Sequence, residues 1–411
     1  MSVIEGKHPQ TSQADRGRQR ATMLEIQRRL IAHLEAGRTT DFAPAPYQVA
    51  ARVFTDPARL DAERRELFLK LPMLAAFTSD MPNPGDVVVF EAAGPSILLA
   101  RGRDGQVRAF LNRCRHRAAK LTKGCSTARV LTCPFHGWSY DLEGRLVGLP
   151  GEAAFADLDR ATLGLTSVPV AEWCGLIFVK AHPGDEEIDV EGYLGPLAAE
   201  LRQLDIAHTT PVRKHRIDLK ANWKFAQDTF FEGYHFATVH PQTIAQTAIS
   251  NVMVHDQFGP HQRVMMASQG WLDYVGHPEQ EWRTPPYEGI HLIFPNTIFY
   301  SGHADRFAGS DADRQIFGCW RSFPGATPGE SFTLMATYRP KDADEPEDIA
   351  FYEQVSDFIM KVVETEDYSL CAEAQANLES GPPDAPIVFG RNECANQAIH
   401  QRIAEAVGDD S

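Results

Sequence analysis

Two short segments of this chain set a cysteine and a histidine almost side by side: Cys114-Arg-His116 and Cys133-Pro-Phe-His136. Sixteen residues separate His116 from Cys133. Two thiolates and two imidazoles can share a [2Fe–2S] cluster, with the sulfurs on one iron and the ring nitrogens on the other. Neutral rings in place of two anionic thiolates raise the reduction potential. They also leave ring N–H groups that can carry protons or hydrogen bonds outward. Tetrahedral zinc is the other chemistry open to a Cys₂His₂ set. Zinc fingers keep like ligands together, however, whereas each pair here is mixed and falls between strand-like runs. The mixed pairs favour the cluster, each loop giving one ligand to each iron. Cys125 lies between the pairs at no ligand spacing and reads as a packed thiol.

A second constellation lies in the run from Asn222 to His240, NWKFAQDTFFEGYHFATVH. An iron that works on O₂ needs open coordination positions, and two histidines with one carboxylate on one face provide them. His235 and His240 are five apart. On a regular helix that is an angle of about 140°, so one ion could not take both unless the helix ends or distorts between them. Pro241 agrees with a nearby helix end. Glu232, three residues before His235, shares its helix face and can orient its ring. The plainer reading is a pair of core histidines on an apolar helix.

The segment CRHR followed by CPFHGWSYDLEG resembles the Rieske domain of ring-hydroxylating oxygenase α subunits. Respiratory Rieske proteins carry an extra cysteine in each loop; here those places hold Arg117-Ala118-Ala119 and Phe135. The Asn-Trp-Lys…Glu232…Tyr234-His235…His240 run is similar to the mononuclear iron motif of the same family, with Asp228-Thr229 where the family often has Glu-Asn. The segment VETEDYSLCAEAQ (363–375) resembles the stretch that supplies the third iron ligand. By that match the ligand is Asp367, with Glu364 and Glu366 as close competitors, although such an acidic run is otherwise an exposed helix face. The resemblance covers roughly residues 70–380. It implies a Rieske β-sandwich domain inserted into a helix-grip (START-like) catalytic domain with an antiparallel sheet. It also implies a homotrimer in which Glu232 links the mononuclear site to a Rieske histidine, His116 or His136, of the neighbouring subunit. The expected cofactors are a [2Fe–2S] Rieske cluster held by Cys114, His116, Cys133 and His136, and a mononuclear Fe(II) held by His235, His240 and Asp367. The expected activity is that of a terminal oxygenase, a monooxygenase or dioxygenase in aromatic hydrocarbon catabolism. It would take electrons from an NADH-dependent reductase or a ferredoxin and hydroxylate or oxidatively demethylate a small, aromatic substrate with O₂. The alternative is a Rieske-type electron carrier whose C-terminal domain binds a ligand without turnover.

Elements must hold these residues in place. Apolar runs at 87–90, 96–100, 107–111, 130–133 and 176–179, with Asp104–Gly105 and Glu143–Gly144 as hairpin signals, predict a small all-β module around the Cys/His pairs. Beyond about 185, helix candidates at 189–204, 219–240, 346–379 and 392–407 alternate with strand-like runs at 291–300, 315–320 and 331–338. That pattern predicts an α+β layer arrangement with an antiparallel sheet. The first 45 residues hold one amphipathic helix candidate, with Met23, Leu24, Ile26, Leu30, Ile31 and Leu34 on its apolar stripe, expected to pack on the catalytic domain. The expected division is 1–45, 46–180 and 181–411. Trp138 reads as a shield for the cluster, Trp223 and Tyr234 as packing aromatics, and His291 and His303 as satisfied or exposed. Phe230, Phe231, Phe236, Trp271, Phe294, Phe299 and Trp320 could build a pocket or a core, and HLIFPNTIF (291–299) resembles a cavity-lining strand.

The bulk numbers bound the rest. With 411 residues, 43% of them hydrophobic, the chain can bury a large core. A net charge of −15 argues against a nucleic-acid partner. No apolar run reaches the 18 residues of a membrane span, and the first 20 lack the apolar core of a signal peptide. Seven scattered cysteines argue for a reducing compartment and a cytoplasmic enzyme. No GxGxxG occurs to bind NADH, so reducing power must come from a partner.

Overall fold

The computed structural model describes residues 13–92, 94–307 and 314–409. It divides into two compact units: Arg64–Tyr193 with Ile206–His208, and the remainder of the chain. In chain order the first unit is thus an insertion into the second.

The inserted unit is built from antiparallel sheets. The largest has the order Ser167–Val168, Val107–Leu111, Ile97–Arg101, Asp86–Phe90, Ser126–Thr127. A three-stranded sheet joins Val170–Trp173, Leu176–Val179 and Met73–Phe77, and a smaller one joins Leu131–Thr132, Ser139–Tyr140 and Leu146–Gly148. Both hairpin signals are turns. Gly105 and Gly144 take φ of 80° and 84°. A Cβ on Gly144 would also collide with the ring of Phe110, so only glycine fits there.

Among its described residues the other unit holds a seven-stranded antiparallel sheet. Its order is Thr209–Leu219, Ser331–Pro340, Gln315–Pro324, Thr297–His303, Gly289–Ile293, His261–Ser268, Ala248–Phe258. The long helix Pro346–Val362 has proline in its first turn followed by Glu347 and Asp348, the arrangement that suits the positive end of a helix. It continues through a π turn, Val363–Asp367, into Tyr368–Ser380. The N-terminal helix Gln13–Glu35 lays Met23, Ile26, Leu30 and Leu34 against Ile249, Val252, Val254 and Met265 of this unit. Residues 1–12 of the expected N-terminal segment lie outside the described residues.

The α+β expectation holds, and several details differ. Residues 46–63 belong to the sheet-and-helix unit: Tyr47–Ala50 pairs with Pro386–Phe389, and Trp223 Nε1 donates to Glu63 at 2.8 Å. Residues 181–193 fall in the inserted unit. The helix expected at 189–204 breaks at Gly195, whose φ is 54°, and Pro196. The helix expected at 219–240 is two short ones, Trp223–Asp228 and Phe236–Val239. Cys125 is exposed rather than packed, because it precedes a two-residue edge strand with both side chains outward. Tyr234 is 62% exposed and packs no core, since it stands in the bend between the two short helices. No described helix is long and apolar enough to cross a membrane.

Candidate metal centres

The two Cys/His loops repeat one backbone design. Cys114 N–H donates to Ala119 O at 2.9 Å and Ala118 N–H donates back to Cys114 O at 3.0 Å. In the second loop Cys133 N–H donates to Trp138 O at 2.8 Å and Gly137 N–H to Cys133 O at 3.0 Å. Each loop turns through one left-handed residue, Ala118 at φ 60° and Gly137 at φ 75°. Alanine pays about 1 kcal/mol for that conformation and glycine does not. Cys114 and Cys133 are buried in the core of this unit, beside Trp138 and Tyr140. His116 is half-buried, stacks on Trp138 at 4.9 Å between ring centroids, and lies 4.6 Å from the ring of the exposed His136. Tyr140 OH accepts from Arg115 N–H at 3.0 Å and lies 3.4 Å from Cys114 Sγ.

In the other unit, Asn222 caps the helix Trp223–Asp228 by accepting from Lys224 N–H at 3.2 Å. The chain then bends, and the Glu232 carboxylate accepts the backbone N–H groups of Tyr234 and His235 ahead of the single turn Phe236–Val239. His235 stands at the start of that turn. His240 stands at its end, where φ −114° and ψ 38° leave the helical region. This is the distortion that the five-residue spacing demanded, and the two rings lie 5.1 Å apart.

Asp367, at the end of the π turn, closes the set. Its Oδ1 lies 3.0 Å from His240 Nε2 and 3.5 Å from His235 Nε2. One atom from each of the three lies within 4.8 Å of the others, a spacing that a single ion can span. Glu232 faces His235 Nδ1, and Glu366 lies 2.6 Å from His240 Nδ1. Glu364 is exposed. Burial disfavours the His235 imidazolium, but Asp367 and Glu232 outweigh it and push its pKa up to about 9. His240 is raised by Asp367 and Glu366 against the same burial. Burial works against the Asp367 carboxylate too, yet the two rings hold it below the usual range. Without metal the site therefore gathers protons, and a divalent cation would replace them.

Two cavities meet this set. One, of about 130 Å³, is walled by Phe230, Phe236, Tyr300, Phe307 and Trp320, with His235, His240, Asp367 and the buried Glu288 also in its lining. The other, of about 270 Å³, is lined by Asp228, Glu232, Glu393, His235 and Asp367. Of the aromatics named from the sequence, Phe230, Phe236 and Trp320 line the first cavity, while Phe231, Trp271, Phe294 and Phe299 are buried elsewhere in the unit. The segment 291–299 does not line it; its flanking residues Ile290 and Tyr300 do. His291 is satisfied by Tyr287 OH at 2.8 Å.

Residues 206–409 match the model of the ring hydroxylating alpha subunit (catalytic domain), and residues 72–169 that of the Rieske [2Fe-2S] domain. The chain belongs to the Rieske oxygenase α-subunit family. The carnitine monooxygenase oxygenase subunit of Escherichia coli (strain K12) is 32% identical over 198 residues, 47% of this chain and 52% of that protein. The anthranilate 1,2-dioxygenase large subunit of Acinetobacter baylyi is 31% identical over 210 residues, 49% and 44% of the two chains. The glycine betaine monooxygenase oxygenase subunit of Pseudomonas aeruginosa is 30% identical over 280 residues, 66% and 59%. The chain thus spans about half the length of the curated relatives it matches. Among solved structures, a quaternary ammonium Rieske monooxygenase in complex with L-carnitine aligns with a TM-score of 0.73 at 20% identity, covering 89% of this chain and 96% of that one. Naphthalene 1,2-dioxygenase from Rhodococcus sp. aligns with 0.73 at 18%, covering 94% and 98%. At these identities the likeness shows the fold.

Membership in the Rieske oxygenase family implies two metal groups, the [2Fe–2S] cluster and a mononuclear iron. The residues present fit both. His116 Nδ1 is a buried ring nitrogen without a hydrogen-bond partner, and the buried His235 Nε2 has only the 3.5 Å approach of Asp367 Oδ1, as ligand atoms awaiting an ion would be. A tetrahedral ion would draw Cys114, His116, Cys133 and His136 within about 4 Å of one another. Among the described residues no three of them come within the 4.8 Å that His235, His240 and Asp367 share. Sequence reasoning missed the part played by Glu366. Its signal was its place directly before Asp367, which read only as competition for the metal.

Proposed function

We propose that this chain is the terminal oxygenase component of a Rieske system. It receives electrons from an NADH-dependent reductase, directly or through a ferredoxin, and uses O₂ to hydroxylate or oxidatively demethylate a small organic substrate. The observation that carries the reading is the convergence of His235, His240 and Asp367 in the lining of an apolar, aromatic-walled cavity. In this reading Cys114 and Cys133 hold one iron of the cluster and His116 and His136 the other. His235, His240 and Asp367 would hold the mononuclear iron beside the cavity they line. When bound, the cluster would supply electrons and the mononuclear iron the chemistry of O₂.

The protein's own work is positioning and exclusion. Glu232 orients His235 and, in a homotrimer, would link it to the neighbouring subunit's cluster. Phe230, Phe236 and Trp320 keep the reacting space dry. A cytoplasmic setting agrees with seven free cysteines.

Two substrate classes suit these walls. A flat aromatic ring can stack on Phe230 and Trp320, themselves stacked at 5.1 Å. The second reading is a quaternary ammonium compound: aromatic faces attract cations, and the buried Glu288, which accepts from Tyr300 OH at 3.2 Å, adds a carboxylate to the wall. Relatives named for carnitine and glycine betaine agree with it.

The deciding experiment screens both classes with a surrogate reductase and ¹⁸O₂, following products by mass spectrometry. Labelled product and about three irons per chain support the oxygenase. About two irons and no product from either class would favour the electron carrier.

A further inference from the structure

A metal-bound imidazole uses one ring nitrogen on the ion and must place the N–H of the other. What that N–H meets settles tautomer, ring rotation and donor strength. Glu232 meets this need for His235. For His240 the partner is Glu366, whose Oε2 lies 2.6 Å from Nδ1. The same oxygen accepts Thr243 Oγ1 at 2.7 Å. Thr243 is itself tied back to the ligand, its N–H donating to His240 O at 3.2 Å. His240, Thr243 and Glu366 therefore form a closed set between two segments more than a hundred residues apart.

The backbone device is the π turn Val363–Asp367. Adjacent side chains on a helix diverge by about 100°. Glu366 and Asp367 use that divergence to take opposite edges of one imidazole, Glu366 at Nδ1 and Asp367 at Nε2. π turns concentrate at functional sites because the extra residue re-aims side chains that a regular helix would send elsewhere.

We propose that Glu366 is the positioning residue for His240: it accepts Nδ1–H, points Nε2 at the iron, and does not ligate the iron itself. Thr243 holds the carboxylate in place. The inference rests on His240 being a ligand. It gives each iron histidine its own carboxylate, one from the bend before the single turn and one from the π turn.

The test uses the full-length holoenzyme. Loss of mononuclear iron to a chelator is followed with the cluster absorbance as an internal standard, alongside the melting midpoint of the iron-free protein. Glu366→Ala is expected to release iron about 10- to 100-fold more readily. Glu366→Gln, whose amide oxygen can still accept, should recover part of that, and Thr243→Val should show a smaller loss. The cluster spectrum and the iron-free midpoint should hold. Wild-type iron retention in Glu366→Ala overturns the proposal. So does complete loss equal to that of Asp367→Ala, which would make Glu366 a ligand. A loss that Glu366→Gln does not recover and that follows a fall in the iron-free midpoint is structural and also overturns it. The His240→Ala control separates the two levels. If it keeps its iron, the ligand assignment itself fails; if it loses iron while Glu366→Ala does not, only the present inference fails.

Discussion

Glu232→Gln changes one atom and keeps the shape of the side chain, yet the site should register it strongly. Both carboxylate oxygens of Glu232 are in use. Oε1 faces His235 Nδ1, and Oε2 accepts the N–H groups of Tyr234 and His235. Glutamine has one acceptor oxygen for the two sides. Whichever way it turns, its NH₂ confronts either backbone donors or the imidazole. If it faces the imidazole, the ring must accept at Nδ1 and carry its proton on Nε2, the atom the iron needs. The side chain is only 11% exposed, so water does little to relieve the conflict. A buried donor left unpaired costs about 1–3 kcal/mol, or roughly 5- to 150-fold in an equilibrium constant. Anaerobic Fe(II) titration of the iron-free protein should therefore show affinity lowered within that range, with the cluster intact. At saturating iron, stopped-flow under O₂ and substrate should show slow reoxidation of the cluster. Wild-type iron affinity together with wild-type reoxidation would refute both the orienting and the relay role.

Two further outcomes are expected. Lys224 and Glu63 form an ion pair at 2.6 Å with both side chains fully buried, and Glu63 also takes Trp223 Nε1 and Arg59 Nε at 2.8 and 3.1 Å. Lys224→Met strips one partner from a buried charge at a cost near the lower end of 3–5 kcal/mol, about 3. The melting midpoint should drop by roughly 6–12 °C, and an unchanged midpoint counts against the network. For Glu200, burial favours the neutral acid, but His291 and Arg263 outweigh it and hold the group below the ordinary carboxylate range. Its folded pKa is depressed, so its contribution to stability is full above about pH 4.3 and is lost as pH falls through the lower folded value. Melting curves of wild type and Glu200→Gln should converge below that point and separate above it; parallel curves would show that the Glu200 charge contributes nothing.

How much of this was legible in one dimension depended on how local each signal was. The two Cys/His loops were readable because each pair lies within three residues and the cysteine–histidine mixture is chemically specific. His235 and His240 were also readable, down to the need for a break between them. The break itself was not, because the apolar run 219–240 keeps helical periodicity while the carboxylate that interrupts it belongs to the run. Asp367 was reachable only through resemblance. Three acids in four residues look alike until a fold sends one outward and two toward a ring. The strand Thr209–Leu219 was invisible for a different reason: it is an edge strand whose inner stretch carries exposed Lys214 and Arg216, so no apolar alternation marks it. Residues 46–63 were misplaced because their partners, Pro386–Phe389 and Trp223, lie far along the chain.

The proposed ligand set spans two distant stretches of polypeptide. His240 and Asp367 stand 127 positions apart. An ion held between them acts as a reversible clasp, closing a loop as long as a small domain and removing conformational freedom from the unfolded chain much as a cross-link does. Unlike a covalent cross-link, it answers to supply. By mass action the folded unit gains stability as free ferrous iron rises, and the gain becomes substantial only above the dissociation constant. Iron scarcity would then do more than silence the enzyme. It would loosen the polypeptide, expose it to proteolysis, and make the lifetime of the protein a gauge of the metal it depends on.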